Sequence, residues 1–231
     1  MYVKINTDKK STTLIQRGGN YVKFKNADAG VIVDQLIKTI QKERDYLSEI
    51  DGKIGDGDHG INMNKGFTMC EKKLEGTTYN LSEGLTTLGE TLLEDIGGSM
   101  GPLYGMLFDE MAQACEDEEE ITADVFADDH SLCRRNSGYQ PCTGRRQITA
   151  RYIDSSKRSI CRSKRSRKRL CRMFGCYECR SRKGWQSTKD LVAKIGRASR
   201  LGERSRGVLD AGATSCYFII TTIGSTAKSL L

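Results

Sequence analysis

No run of about 18 apolar residues occurs in the 231-residue chain, so no segment has the length of a hydrocarbon-spanning helix. The N-terminal lysines lack a following apolar signal-peptide centre, which places the expected location in the cytoplasm. No stretch of any length alternates apolar and polar residues, so the expected class is all-α. Histidine is scarce, with His59 and His130 the only two. Cysteine is plentiful, but six of the nine (Cys133, Cys142, Cys161, Cys171, Cys176 and Cys179) fall in one segment. Cys176-x2-Cys179 has no second pair at ordinary spacing, which argues against a zinc site.

The net charge of +7 is also a local property. Residues 131–183 hold 17 Lys/Arg against two acids, a balance of +15, so the rest of the chain carries −8. A basic protein ordinarily suggests nucleic acid as partner. Here the suggestion rests on that segment alone. Its Lys164–Arg169 run lacks the interleaved aromatics that single-strand binding favours, so nucleic acid is not the expected partner.

Helical spacing of apolar residues predicts a helix from Asn26 to Glu49, carried by Val31, Val33, Leu36, Ile37, Ile40, Tyr46 and Leu47. Further helices are expected over Asn62–Glu75, Leu81–Asp95 with Ser82 as N-cap, and Leu103–Cys115. Others are expected over Ile121–Asp128, Ser187–Leu201 and Ala211–Leu231. Leu103, Met106, Leu107, Phe108 and Met111 read as core, while Tyr104 is ambiguous.

The chemistry concentrates in Asp51-Gly-Lys-Ile-Gly-Asp56-Gly-Asp58-His59-Gly60, which places three carboxylates within eight residues. An oxygen-only acidic cluster suits a hard cation such as Mg2+, which accepts a few carboxylates and keeps positions open for phosphate oxygens. Gly55, Gly57 and Gly60 permit the tight backbone needed to gather the acids around one point. Amides at the start of the following helix are suited to phosphate as well. The spacing does not fit an EF-hand calcium loop, and the competing bland reading is a solvated acidic turn.

Three separated motifs converge. They are Asp51-x4-Asp56-Gly-Asp58-His59-Gly60-Ile61-Asn62-Met63; Gly97-Gly98-Ser99-Met100-Gly101-Pro102-Leu103-Tyr104-Gly105; and Gly196-Arg197-Ala198-Ser199-Arg200-Leu201-Gly202-Glu203-Arg204-Ser205, running into Leu209-Asp210-Ala211-Gly212-Ala213-Thr214. Together these resemble the nucleotide-binding L subunits of bacterial dihydroxyacetone kinases, over about residues 25–128 and 184–231.

The resemblance implies a barrel of about eight antiparallel amphipathic helices, apolar faces inward as packed helices require, with the nucleotide at one end. It also implies ADP and Mg2+ as cofactors. A phosphohistidine on an M subunit would convert the ADP to ATP, which then phosphorylates a ketose on a sugar-binding K subunit. By position, Asp51, Asp56 and Asp58 would hold Mg2+. His59, Gly60, Ile61, Asn62, Ser99, Met100, Arg197, Asp210, Ala211 and Gly212 would contact the nucleotide.

The duller alternatives are a helix-capping His59, a solvated Arg197 and a plain helix-helix turn at Gly97. Two other functions compete. One is another kinase built on the same nucleotide module, such as a fatty-acid kinase, although those carry Thr at the place of His59. The other is a non-catalytic regulator that binds a transcription activator.

The resemblance stops over residues 129–183, where the family has two helices and a Gly-Asp-Lys-Thr/Ser motif between them. The segment reads as a frame error replacing both helices. Arg145–Ile153 can be encoded so that a one-base shift gives Gly-Asp-Lys-Ser-Leu-Leu-Asp-Thr, and stretches on either side shift into credible helical text in the same frame. Residues 1–24 read as leader or disordered extension, since Arg17–Val22 can encode a ribosome-binding sequence followed by a GTG start. Residues 25–231 then form a single domain.

Overall fold

The computed structural model describes residues 23–98, 100–122, 178–179, 181–194 and 196–231. Nearly all of the anomalous segment, and most of the expected extension, lie outside the described residues.

Helices dominate what is described, with one small sheet. Strand β1 (Lys23–Lys25) pairs antiparallel with β2 (Glu120–Thr122), setting Phe24 opposite Ile121. Both side chains are buried in the main core, so Lys23 and Phe24, assigned above to the extension, form part of the folded body. Ile121 had been expected to open a helix over Ile121–Asp128. Its pairing with Phe24 holds it extended instead, and residues 123–128 lie outside the described ones.

The long helix expected over Asn26–Glu49 is two helices. Asn26 lies in the preceding turn, where its side-chain amide donates to Cys115 O at 2.9 Å and Glu118 O at 3.1 Å. Helix α1 (Val31–Lys42) buries Ile32, Val33, Leu36, Ile37 and Ile40. Glu43 leaves helical geometry at φ −91°, ψ 7°, and α2 (Arg44–Gly52) continues, burying Leu47 and Ile50. Glu43 and its neighbours include neither Gly nor Pro, so tertiary packing makes the break. Helix α1 lies against the C-terminal helix and α3, and α2 is re-aimed onto the same pair.

Helix α3 (His59–Leu74) starts three residues before the expected Asn62 and packs on α1, α2 and α4. Helix α4 (Leu81–Asp95) has the expected bounds. Its cap is Asn80 rather than Ser82: Glu83 N donates to Asn80 Oδ1 and Asn80 N donates to Glu83 Oε2, both at 2.9 Å. This reciprocal box satisfies two amides that the helix start leaves free. Ser82, in the first turn, donates its hydroxyl to Ala112 O on α5 (Met100–Cys115) at 3.1 Å. Phe67 of α3 meets Phe108 of α5 edge-on, with centroids 6.0 Å apart, at the centre of the core. Of the five residues expected in the core, Phe108 is fully buried and Leu103, Leu107 and Met111 pack partly exposed against the core, while Met106 is half-buried outside it.

The segment Ser187–Leu201 is not one helix. Two 3-10 segments, Ser187–Asp190 and Arg197–Ser205, are joined by irregular chain, with Gly202 kinked at φ 54°, ψ −129°. Long-range bonds hold this loop: Gly207 N donates to Lys189 O at 2.7 Å, and Ala193 N to Ser205 Oγ at 2.8 Å. Helix α6 (Ala211–Ser229) closes the described chain and packs on α1 and α2. Trp185 stacks on Tyr217 of α6 at 4.5 Å and donates its indole N–H to Thr214 Oγ1 at 2.9 Å. Among the described residues no helix is long and apolar enough to cross a membrane.

Candidate metal and nucleotide site

The end of α2 and the start of α3 gather the three acids. Asp51 sits in the last turn of α2, and its backbone carbonyl accepts from Ile54 N at 3.1 Å and from Gly55 N, which folds the chain back. Gly57 adopts φ +76°, a left-handed conformation that costs other residues steric strain. Asp58 then N-terminally flanks α3, its carbonyl accepting from Asn62 N at 2.9 Å. Gly60 allows the closest approach: a Cβ there would lie 2.0 Å from Arg44 O and 2.5 Å from Ser48 Oγ on α2. The start of α3 therefore rests directly on α2.

The outcome is that one carboxylate oxygen from each of Asp51, Asp56 and Asp58 lies within 4.8 Å of the others. Asp51 and Asp58 are half-buried and Asp56 is exposed. This set fits Mg2+: the donors are all hard oxygens, three charges converge, and the exposed side admits water or phosphate. Arg197, from the late motif, places its guanidinium on the Asp56 carboxylate. The first and third motifs thus meet at the acidic loop, although 141 positions separate these two residues in sequence.

His59 is buried beside this loop. Its amide lies 3.4 Å from Asp51 Oδ2 and its ring Nε2 lies 2.9 Å from Ser215 Oγ on α6. Ser215 Oγ in turn lies 2.7 Å from the Tyr104 hydroxyl on α5, which donates to Gly212 O at 3.1 Å. Burial pushes the His59 imidazole down from 6.5 to about 4, with Asp51 opposing weakly, so the ring is neutral at physiological pH. Burial, reinforced by Cys216, holds the Tyr104 phenol well above its ordinary value. His59 therefore does more than cap α3: it ties α3 to α6 through a buried polar chain.

The remaining expected residues divide. Gly60 is buried against α2, Ile61 is half-exposed, and Asn62 is partly exposed in the first turn of α3. Asp210 caps α6 by accepting from Ala213 N at 2.7 Å, and its own amide donates to Thr188 Oγ1 at 3.2 Å. Ala211 is buried and Gly212 offers its carbonyl to Tyr104. Met100 opens α5 and packs against the core, while Ser99 lies outside the described residues. Sequence reasoning missed Ser215 altogether and left Tyr104 open. Tyr104 at least lies within the second glycine motif. Ser215 is an unremarkable serine one turn into an apolar helix.

The DAK2 domain model matches residues 53–225. The PEP-dependent dihydroxyacetone kinase 2 ADP-binding subunit DhaL of Listeria innocua is 31% identical, across 84% of this chain and 91% of that protein. The corresponding PEP-dependent ADP-binding subunit DhaL of Escherichia coli is 32% identical, across 80% of this chain and 90% of that one. Among solved structures, the dihydroxyacetone kinase of C. freundii in complex with AMP-PNP and Mg2+ superposes with a TM-score of 0.60 at 17% identity. That superposition covers 97% of this chain but only 38% of the larger enzyme, and at such identity it speaks to fold alone. A domain model matched over most of the chain, together with relatives of full subunit length, shows that the protein belongs to the DAK2-domain family.

Proposed function

We propose that this chain is the ADP/ATP- and Mg2+-binding subunit of a dihydroxyacetone kinase complex of the phosphotransferase-linked type. The observation that carries the reading is the meeting of Asp51, Asp56 and Asp58 at one point with Arg197 against them. An acidic cluster with an adjacent guanidinium is what a nucleoside diphosphate and its cation need together. Mg2+ held by the three carboxylates would neutralise phosphate charge, which suits phosphoryl transfer because charge accumulates on the phosphoryl oxygens.

The chain's own residues carry the rest of the task. Arg197 is the exposed cation of the pair: its side chain is 61% exposed, so its contact with Asp56 contributes little to stability and leaves the guanidinium accessible to phosphate. His59, neutral and buried, offers an uncharged hydrogen-bonding edge. Gly60, Ile61 and Asn62 present the start of α3, where unpaired amides favour an anion. Ser99, Met100, Asp210, Ala211 and Gly212 complete the nucleotide contacts. Residues 25–231 form one domain in this reading, and its helices close a barrel with the site at one end.

Partner subunits supply the two groups that the described chain does not place at this site: a phosphohistidine that donates to bound ADP, and a histidine that holds the ketose. The relatives named as PEP-dependent ADP-binding subunits support this division of labour. The chain acts in the cytoplasm beside these partners. The test is reconstitution. The chain loaded with radiolabelled ADP is mixed with a phosphorylated phosphohistidine subunit, with and without the sugar-binding subunit and dihydroxyacetone. Label should pass from ADP to ATP, and the ATP should be consumed only when ketose and its subunit are present. Partner binding with no phosphoryl transfer to bound ADP would instead identify a regulator.

A further inference from the structure

The loop that carries the late motif reaches the acidic loop through Arg197. Three bonds pin its base: Gly207 N donates to Lys189 O at 2.7 Å, Arg206 Nη1 to Asp190 O at 2.6 Å, and Ala193 N to Ser205 Oγ at 2.8 Å. Between these pins, over residues 194–204, none of the described residues is buried. Gly196 and Gly202 sit at φ +77° and +54°, and a Cβ on either would meet nothing within 4 Å. The excursion thus has a fixed base and little packing of its own, which is the pattern of a segment that shifts at low cost. From Lys194 to Arg206 it holds five basic residues against one acid, Glu203.

Arg197 leads this excursion, and its guanidinium rests on Asp56 Oδ2. Asp56 is also the most exposed of the three acids whose oxygens lie within 4.8 Å of one another. The carboxylate most open to an arriving cation is therefore the one that carries a guanidinium. Two cations sharing one carboxylate stand close enough to repel, and the divalent one has the stronger hold because two further acids face it. A phosphate oxygen brought to the same point offers the guanidinium a new partner, in the bidentate geometry that its planar fork matches.

We propose that Arg197 is an exchange cation: its guanidinium leaves Asp56 when a divalent ion occupies the three carboxylates, and passes to a phosphate oxygen of the nucleotide. Arg197 therefore opposes a cation that binds alone and supports one that binds with nucleotide. By linkage, ADP strengthens cation binding by the same factor as the cation strengthens ADP binding, and Arg197 enlarges that factor. The exchange rests on reading the three acids as the cation site of a nucleotide centre.

The test is cation binding by the full-length protein, freed of nucleotide by EDTA and dialysis. Mn2+ stands in for Mg2+, and free Mn2+ is read by electron paramagnetic resonance. Arg197→Gln should bind Mn2+ alone about 2–5-fold more tightly than wild type, the scale of one exposed ion pair. The same variant should bind ADP in saturating Mn2+ about 10–100-fold more weakly, as loss of a charge-assisted bond to phosphate requires. Arg197→Lys should keep the wild-type Mn2+ affinity but lose part of the ADP affinity, because an ammonium lacks the planar fork. A merely structural role would weaken both affinities of Arg197→Gln together. Mn2+ affinity unchanged or lowered in that variant, or ADP affinity unchanged, overturns the exchange. Asp58→Asn separates the two layers: it should abolish Mn2+ binding, and undiminished binding there refutes the metal reading and the exchange with it.

Discussion

Replacing Gly60 with alanine should loosen the junction on which the acidic loop depends. The new Cβ would lie 2.0 Å from Arg44 O, 2.5 Å from Ser48 Oγ and 2.7 Å from Ser48 N, whereas ordinary contact begins at 3.4 Å. Helices α2 and α3 must therefore part by about 1.4 Å, the gap between 2.0 and 3.4 Å, and backbone on both sides prevents a side chain from simply turning away. Overpacking of this kind costs ~1–3 kcal/mol, here at the upper end, less up to about 1 kcal/mol of improved helix propensity. The net expected loss is about 2 kcal/mol. Gly66→Ala is the control, because its Cβ would meet only the side-chain tips of Leu92 and Ile96, the nearest at 2.5 Å. Those tips can yield, and the same propensity gain leaves that variant within about 1 kcal/mol of wild type. Urea unfolding followed by the single tryptophan, Trp185, reads both, with unchanged slope and shifted midpoint expected. Asp51 and Asp58 lie on opposite sides of the junction, so Gly60→Ala should weaken Mg2+-dependent ADP retention as well. A Gly60→Ala variant as stable as wild type, or less perturbed than Gly66→Ala, would refute the close approach of the two helices.

Asp56→Asn and Asp58→Asn should each abolish Mg2+-dependent ADP retention while leaving the helical circular dichroism unchanged; undiminished ADP content would sink the metal assignment. Stability should fall on the alkaline side. Burial raises the Cys216 thiol from 9.0 to about 12, so the unfolded chain loses that proton first, and the folded state is disfavoured as pH climbs through that window. At pH 10.5 this amounts to about 2 kcal/mol, and Cys216→Ala should lessen the pH dependence above 9 by that share, leaving the similar contribution of the buried Cys70 thiol, as read by urea midpoints. Iodoacetamide followed by peptide mapping should modify Cys179 in the native protein and spare Cys70, Cys115 and Cys216, which are buried. Resequencing the coding DNA from the codon for Phe126 to that for Trp185 should reveal compensating single-base errors; a confirmed text would establish the basic segment as part of the protein.

What could be read from residues alone was whatever local chemistry determines. Helix α4 emerged with its bounds intact because its apolar spacing and flanking polar residues agree, although Asn80 rather than Ser82 captured the cap. The reciprocal bond with Glu83 is available only from the residue three positions earlier. The break at Glu43 was not legible, since the apolar pattern runs on and only packing against α3 and α6 re-aims the chain. Ile121 was misread for a related reason: its partner Phe24 lies nearly a hundred residues away. The helix expected over Ser187–Leu201 was misread because Gly196, at positive φ, interrupts it between two 3-10 segments.

The acidic cluster was visible because three carboxylates and their glycines are contiguous, and turn chemistry alone gathers them. The pairing of Arg197 with Asp56 came within reach only through resemblance to a family. Ser215 carried no signal at all, since a serine acquires its role from what stands opposite it in space.

The quantity closest to the function is the nucleotide that the protein itself holds. Purified in Mg2+, denatured and analysed by chromatography, the chain should release close to one ADP per molecule, and prior EDTA treatment should remove it. Asp56→Asn should release none under either condition. Nucleotide-free protein in Mg2+, or ADP that survives EDTA undiminished, would contradict the assignment of Asp51, Asp56 and Asp58 as the cation-holding centre of a nucleotide site.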